Sequence, residues 1–316
     1  MNHLRFLRYV DETARCGSIR LAAQRLHVAA SAVNRRILDI EAELGTPIFE
    51  RLPRGMRLTA AGELFVHYIR DRRAALDRVL SEIEDLKGLR RGRVAISASQ
   101  ALARRFLPQT IAAFQQHHPL VDFEIRITDY RQASESLRQY ESDLSLVFNP
   151  EPSGDLETIA SVEQRLVLVM AHNHPLAQRS GALALRDCVD YPIVLAHPEL
   201  SGRQLLERYL SRSSIKLKPV VQSNSFEFLL GYLLQAHALS FQIAIGVDDE
   251  GGQLTSRELS DRGFPRGSLE LAHLRGRALP IAVQLFADHL VARLADLPRR
   301  RVARAAKSSE VASDIT

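Results

Sequence analysis

Tryptophan is missing and aromatic residues make up only 6% of the 316. That leaves few rings to expose, which argues against a stacking platform for single-stranded nucleic acid. The two cysteines, Cys16 and Cys188, stand far apart. They exclude a disulfide framework or a zinc cluster and suit a reducing cytoplasm. No run approaches the roughly 18 apolar residues of a membrane span. Met1-Asn2-His3-Leu4-Arg5 passes straight into an amphipathic pattern, without the apolar centre of a signal peptide. A cytoplasmic protein with no membrane partner is therefore expected. No Gly-rich phosphate loop, nucleophile elbow or paired-carboxylate motif occurs, so neither an enzyme nor a cofactor is expected. His172-Asn173-His174 lacks a nearby Cys or carboxylate cluster and is not expected to hold a metal. His117-His118 falls at a helix end, where His suits the dipole. Cys188 reads as a small buried hydrophobe.

What is present is enough for real cores: 46% hydrophobic and 25% charged residues, in a chain long enough for two or three domains. The net charge of +5 is unevenly placed. Residues 1–60 hold ten arginines, no lysine and six acids, a net +4, and residues 299–316 carry a net +3. The stretch between them is mildly acidic, at −2. A basic head is the footprint expected for phosphate contact. The tail 299–316, which opens Arg299-Arg300-Arg301, is expected to be disordered.

Leu4, Leu7, Val10 and Ala14 recur at helical spacing, and Gly17 stops that helix. Ser18 is a natural N-cap for a short second helix, Leu21 to Leu26, whose small residues Ala22 and Ala23 allow close approach. After His27-Val28-Ala29 a third helix is expected over Ala30 to Leu44, with Val33, Ile37, Ile40 and Leu44 inward and Gly45 as its stop. This is a helix-turn-helix pattern. Its second helix turns Ser31, Asn34 and Arg35 outward, the face that enters a major groove. Glu50 to Leu58 reads as a short hairpin wing, with Arg51, Arg54 and Arg57 around a Pro/Gly turn. The candidate DNA contacts are thus Arg20, Ser31, Asn34, Arg35 and Arg36 with Arg51, Arg54 and Arg57. Asn34 could read adenine through both amide atoms or simply touch phosphate.

Ala22-Ala23, Leu26, Ser31-Ala32-Val33, Ile37, Glu41, Leu44-Gly45, Phe49, Arg51, Leu58-Thr59 and Gly62 stand in an order and spacing that resembles the head of LysR-type transcriptional regulators, over about 65 residues. The family usually has Ser-Gln where this chain has Ala29-Ala30, and Ser where it has Asn34. No operator sequence carries over.

Thr59 can cap a long helix running to Lys87, with Gly88 as its stop. Phe65, Ile69, Arg72, Leu76, Val79, Ile83 and Leu86 follow steps of four and three, an apolar coiled-coil seam broken only by Arg72. That spacing predicts pairing with a second copy, or burial against the chain's own domains. A twofold pair would set two recognition helices one turn of DNA apart. The resemblance implies the same dimer helix.

From residue 91 short apolar strands alternate with helical stretches, which predicts α/β layers with mainly parallel sheet. The expected strands are 93–97, 121–127, 144–148, 166–170, 192–196, 219–221, 239–243 and 269–274, closed by a helix over 281–297. Two such sets imply two lobes and a cleft, where ligands bind beyond the strand ends. The loops Ser99-Gln100, Ser201-Gly202-Arg203 and Ser223-Asn224-Ser225 can each aim amides and a hydroxyl or amide at an anion. Arg203 adds a donor fork. Effector contacts are expected at Ser99, Gln100, His197, Ser201, Gly202, Arg203 and Asn224. Leu107-Pro108, His118-Pro119, Asp143-Leu144 and His174-Pro175-Leu176-Ala177 continue the family resemblance. It implies a two-lobed, periplasmic-binding-protein-like effector domain with Ser99 at the usual effector position. Ala236-His237-Ala238 departs from the family's Gly-x-Gly.

The expectation is an α+β multidomain chain: a winged helix-turn-helix over 1–58, a linker and dimerisation helix over 59–90, and an effector domain over 91–298. Lobe I would take about 91–161 and 268–298, lobe II about 162–267. The resulting protein would be a homodimeric, by extension tetrameric, regulator that binds a double-stranded DNA operator and a small anionic effector, a carboxylate. It would contact RNA polymerase if it activates. The competing reading is a cytoplasmic α/β solute-binding or enzymatic protein with an incidental basic head.

Overall fold

The computed structural model describes residues 2–53, 55–86, 91–247, 252–297 and 303–304. The chain divides into two compact units, Met1–Leu86 with Arg277–Pro280, and Lys87–Gly276 with Ile281–Thr316.

The first unit holds helices α1 (Asn2–Cys16), α2 (Ile19–Leu26) and α3 (Ala30–Leu44), strands β1 (Phe49–Leu52) and β2 (Gly55–Leu58), and the long helix α4 (Ala60–Leu86). Gly17 turns the chain at φ +59°, and the Ser18 hydroxyl accepts from the Leu21 amide at 3.4 Å to start α2. Ala22 and Ala23 are buried, so α3 can pack closely on α2. Between the helices His27 takes a left-handed φ of 53°, a position usually left to glycine or asparagine. The Glu41 carboxylate on α3 accepts from the amides of Ile48 (2.7 Å) and Phe49 (3.1 Å), which fixes where the β1–β2 hairpin begins. Gly55 sits at φ +132°, and any Cβ there would lie 2.5 Å from the Gly17 carbonyl, so the hairpin docks against the α1–α2 turn. The Thr59 hydroxyl caps α4, accepting from the Gly62 amide at 2.9 Å.

Val10, Ala23, Val33, Ile37, Ile48, Phe49, Val66 and Ile69 form the core of this unit. Two expectations are corrected. Leu44 is 43% exposed rather than inward. Ile69 is fully buried with Phe65 packed against the same cluster, so the first third of α4 serves its own unit's core. Val79 and Ile83 of the expected seam are exposed, as are Leu64, Tyr68 and Leu80, with Leu76 half-buried. The side chain of Leu86 lies outside the described residues.

One buried charge ties α1 to α4. Asp11, with a side chain 2% exposed, receives Arg15 Nε at 3.2 Å, Arg70 Nε at 2.8 Å and Arg73 Nη1 at 3.1 Å.

The second unit contains β3 (Gly92–Ala98), a 3-10 turn (Gln100–Leu102), α5 (Phe106–Gln115), β4 (Val121–Ile127), α6 (Tyr130–Arg138), β5 (Leu144–Phe148) and β6 (Leu156–Ala171). There follow α7 (Pro175–Gln178), a 3-10 turn (Leu185–Cys188), β7 (Ile193–Ala196), α8 (Ser201–Leu210), β8 (Pro219–Ser223) and α9 (Phe226–Gln235). Then come β9 (Leu239–Ile243), a 3-10 turn (Ala244–Gly246), β10 (Leu254–Arg257), β11 (Arg266–Leu274), α10 (Ile281–Ala295) and β12 (Ala303–Arg304). Strand order is β4-β3-β5-β11-β6-β9-β7-β8, with β10 and β12 also on β6. The β3, β4 and β5 pairs are parallel, as are β7 with β8 and β9, whereas β6, β10 and β11 pair antiparallel. The sheet is therefore mixed rather than mainly parallel, and β10 adds a strand that the apolar runs do not show.

The strand expected at 166–170 begins ten residues earlier, at Leu156. β6 pairs with β11 as far as Arg165 and with β9 from Leu166 onward. The 161/162 boundary read from sequence falls inside this strand. In lobe I, Phe114, Phe123 and Phe286 meet edge to face with centroids 4.7–5.9 Å apart. Lobe II packs Leu168, Met170, Leu195, Leu239 and Phe241 into one cluster. Most of the tail 299–316 lies outside the described residues. Of it, Ala303 and Arg304 pair with Ser161 and Ala160 of β6.

Removing one partner of a buried ion cluster leaves charge without compensation, which typically costs about 3–5 kcal/mol. Asp11→Ala is expected to lower the opening free energy of the α1 and α4 amides by about that amount in hydrogen exchange on the full chain. Unchanged protection would show that the helices hold together without the carboxylate.

Candidate functional site

α3 exposes Ser31, Arg35 and Arg36, with Asn34 half-buried beside them. Arg20, on α2, is exposed too. Neither Arg20 nor Arg35 has a partner among the described residues. Arg36 is paired with Asp39 at 3.3 Å and lies 4.0 Å over the Phe6 ring. On the hairpin, Arg57 faces Glu50 across the ladder at 2.7 Å. Arg54 lies outside the described residues.

Arg51 donates from Nη2 to Asn34 Oδ1 at 2.8 Å. This bond joins the hairpin to the exposed face of α3, and it changes what Asn34 can do. Bidentate reading of adenine needs the amide oxygen as an acceptor and the amide nitrogen as a donor together. Arg51 takes one of the two lone pairs of that oxygen and so fixes the direction of the amide, while the second lone pair and the amide N–H groups stay available. The bond couples the position of the Asn34 amide to that of the Arg51 guanidinium. The first turn of α3 has no side-chain cap, because Ala29 stands at its N-cap. Its leading amides remain open to an anion.

In the second unit the strand-to-helix loops converge as the spacing implied. Ser99, Gln100, Thr128, Asp129, Phe148, Ser201, Gly202 and Phe226 all line one cavity between the lobes. Its volume is about 20 Å³, room for about one water and far below a metabolite site. Ser99 Oγ accepts from the Phe148 amide at 3.0 Å, which leaves its O–H free to donate. The Ser99 amide is already bound to the Leu146 carbonyl at 3.0 Å, contrary to the expectation that it would face a ligand. Gln100, in lobe I, accepts through Oε1 from the Phe226 amide at the start of α9, in lobe II, at 2.9 Å. That bond closes the cavity. α8 starts without a side-chain cap. Asp129 is the one charged group in the lining, and its carboxylate caps α6 through the amides of Arg131 (2.8 Å) and Gln132 (2.9 Å).

Three expected effector residues do not reach the cavity. Arg203 turns away, because its place on α8 aims the guanidinium at the Ala196 carbonyl (3.1 Å), Gln222 (3.2 Å) and Glu207 (2.6 Å). His197 is exposed and lies 3.4 Å from Glu199, and Asn224 is exposed outside the lining. Conversely, Thr128, Asp129 and Phe226 line the cavity without having been expected there. Thr128-Asp129 follows β4 as Ser99-Gln100 follows β3, which is the signal the sequence offers for them.

Elsewhere, His174 is fully buried and accepts from the Leu176 amide through Nδ1 at 3.1 Å. Burial pushes its pKa below the usual value, with a smaller contribution from His237. Burial likewise drives the Cys188 thiol up to about 12, so it is inert. No group of three or more metal-ligating side chains occurs among the described residues.

Residues 4–63 match the model of the bacterial regulatory helix-turn-helix protein, lysR family, and residues 87–295 match the LysR substrate binding domain. The chain belongs to the LysR family. It is thus a DNA-binding transcriptional regulator with an effector-binding domain, and not an enzyme. The RuBisCO operon transcriptional regulator of Allochromatium vinosum is 28% identical over 293 residues, covering 92% of this chain and 96% of that one. A full-length OxyR variant from Pseudomonas aeruginosa shares the fold at TM-score 0.67 and 20% identity, over 91% and 94% of the two chains. The effector-binding domain of QuiR in complex with shikimate aligns at TM-score 0.55 and 18% identity, over 66% of this LysR-type chain and 99% of that one. Among the described residues no helix is long and apolar enough to cross a membrane.

For this regulator, Asn34→Ala and Arg51→Ala are each expected to weaken operator binding, and the double variant to lose less than the sum. A double-mutant cycle on duplex affinity should give a coupling above about 0.5 kcal/mol. Strict additivity would mean that the two side chains act separately on DNA.

Proposed function

We propose that this regulator grips its operator through α3 and the hairpin, and that a small carboxylate works in the cavity between the lobes. On the DNA side the contacts are Arg20, Ser31, Arg35 and Arg36 on the helices with Arg51, Arg54 and Arg57 on the hairpin, Asn34 setting the direction of Arg51. Arg35 and Ser31 face the bases, and the hairpin arginines face phosphate.

The observation that carries the effector reading is the uncapped start of α8 beside Ser99. The amides of Ser201 and Gly202, both in the cavity lining, find no acceptor among the described residues. Free N–H groups at a helix start favour negative charge, and the Ser99 O–H adds a donor from the other lobe. The ligand in the related QuiR complex, shikimate, is itself a carboxylate. A ligand touching both lobes binds one arrangement better than another, which is what shifts a two-state equilibrium. The Gln100 amide oxygen sits at the start of α9, where a carboxylate oxygen could sit instead. Entry of ligand therefore breaks the Gln100–Phe226 bond and separates the lobes.

A thermal-shift screen of carboxylates on the full chain tests this. Acids are expected to raise Tm, and Ser99→Ala to cut that response at least tenfold in ligand affinity, about 1.4 kcal/mol. Operator affinity without ligand should stay the same. Stabilisation by neutral or cationic compounds alone, or a response indifferent to Ser99→Ala, would refute the carboxylate reading.

The exposed face of α4 at Val79, Leu80 and Ile83 supports pairing with a second copy, with a tetramer formed from two such pairs. The protein would work in the cytoplasm, contacting RNA polymerase where it activates. Ile83→Glu places a charge in that face and is expected to halve the oligomer mass in sedimentation. Unchanged mass would remove this face from the assembly.

A further inference from the structure

The long strand β6 carries one side chain that breaks its own pattern. Its inward row runs Ala160, Val162, Gln164, Leu166, Leu168, Met170, all buried. Gln164 is the lone polar member of the row and is 8% exposed. Its amide makes no hydrogen bond among the described residues. A primary amide has two donors and two acceptor lone pairs, and here they have no protein partner among the described residues.

Gln164 lines a cavity of about 460 Å³, within the size range of metabolite sites. Phe106 and Gln109 of α5 form one wall, Ala244 and Ile245 after β9 a second, and Arg293 near the end of α10 a third. Arg293 Nε is buried without a partner. Arg105 and Asp296 complete the border. None of these residues lines the cavity that holds Ser99.

We propose that this is a second ligand site, for a small organic anion with an apolar face. The acid group would meet Arg293 Nε and the Gln164 amide, and the apolar face would lie on Phe106 and Ile245. Those polar atoms then gain the partners they lack, and the unpaired Arg293 Nε donor favours an acid group. The position gives the site a consequence. Gln164 stands two residues before β6 pairs with β9, and Ala244-Ile245 directly follow β9. An occupant touches α5 and α10 of lobe I and the segment after β9 in lobe II, so it favours one lobe arrangement over another. The proposal does not depend on what the Ser99 cavity binds.

The test is calorimetric titration of the full chain with pyruvate, succinate, 2-oxoglutarate, citrate and inorganic phosphate. It is run on the wild type and on Ser99→Ala, Gln164→Leu, Arg293→Met and Gln109→Trp. At least one organic acid is expected to bind Ser99→Ala with wild-type affinity and to lose at least about tenfold in Gln164→Leu and in Arg293→Met. Gln109→Trp fills the cavity from its exposed rim without touching the strand, and should block binding even if a core variant folds poorly. Gln164→Leu continues the apolar row and should not lower Tm. The site is refuted if no probe binds Ser99→Ala below about 10 mM. It is refuted equally if binding there ignores Gln164→Leu, Arg293→Met and Gln109→Trp. Binding that vanishes only in Ser99→Ala assigns the ligand to the other cavity and overturns this one.

Discussion

One strand belongs to both lobes, and the effector module depends on that sharing. β6 gives its first ten residues to lobe I, against β11, and its last six to lobe II, against β9 and β10. A continuous ladder resists shear along its length, so the lobes cannot slide past each other. They can change their angle only where the strand changes partners, at Arg165/Leu166, and at the other crossings of the chain. Motion confined to a few such residues is a hinge. Everything that bridges the lobes, Gln100 to Phe226 above all, then senses a single coordinate.

That coordinate is poised by small terms. The closed cavity pairs some of its polar groups and leaves the Ser201 and Gly202 amides unpaired among the described residues. Gln100 takes the Phe226 amide, Ser99 takes the Phe148 amide, and Asp129 caps α6. A hydrogen bond of this kind contributes about 0.5–1.5 kcal/mol net. A ligand that offers a better acceptor at two helix starts can outweigh it, whereas one that merely fills space cannot. The specificity of such a site resides in which groups are left unpaired when the lobes part, rather than in the shape of a preformed pocket.

Local signals in the sequence located most elements because each rests on a short-range cause. Gly17, Ser18, Gly45 and Thr59 act at the positions read for them, through left-handed backbone or hydroxyl caps. The loops holding Ser99 and Ser201 meet as strand–helix alternation implied. What was not legible depends on direction or on distant partners. Steps of four and three describe a helix face, and the same spacing fits a core inside one chain or a seam between two. Ile69 and Phe65 went to the former. Arg203 follows Gly202 in sequence, but one residue on a helix is a turn of about 100°, enough to aim it at Ala196 and Glu207 instead. The first part of β6, Leu156 to Arg165, mixes polar and apolar residues and so lacked the apolar run by which its last part was seen. Its antiparallel partner lies about a hundred residues away. No local pattern carries such a pairing.

The head uses weak terms in the same way at its DNA-facing surface. Of its arginines, Arg25, Arg36 and Arg57 are held by Glu12, Asp39 and Glu50, all at exposed or half-exposed positions. Exposed pairs of this kind contribute at most about 1 kcal/mol. They restrain long side chains at the surface, yet they yield to a competing anion with little loss. A buried pair would do the opposite. The Asp11 carboxylate that receives Arg15, Arg70 and Arg73 is itself buried, and it holds α1 on α4. Burial of the acid partner, rather than of the arginine, thus separates arginines that build this small unit from those that it can release to a polyanion. The sequence pattern of charge alone could not make that division, because both kinds sit on amphipathic elements with acids close by.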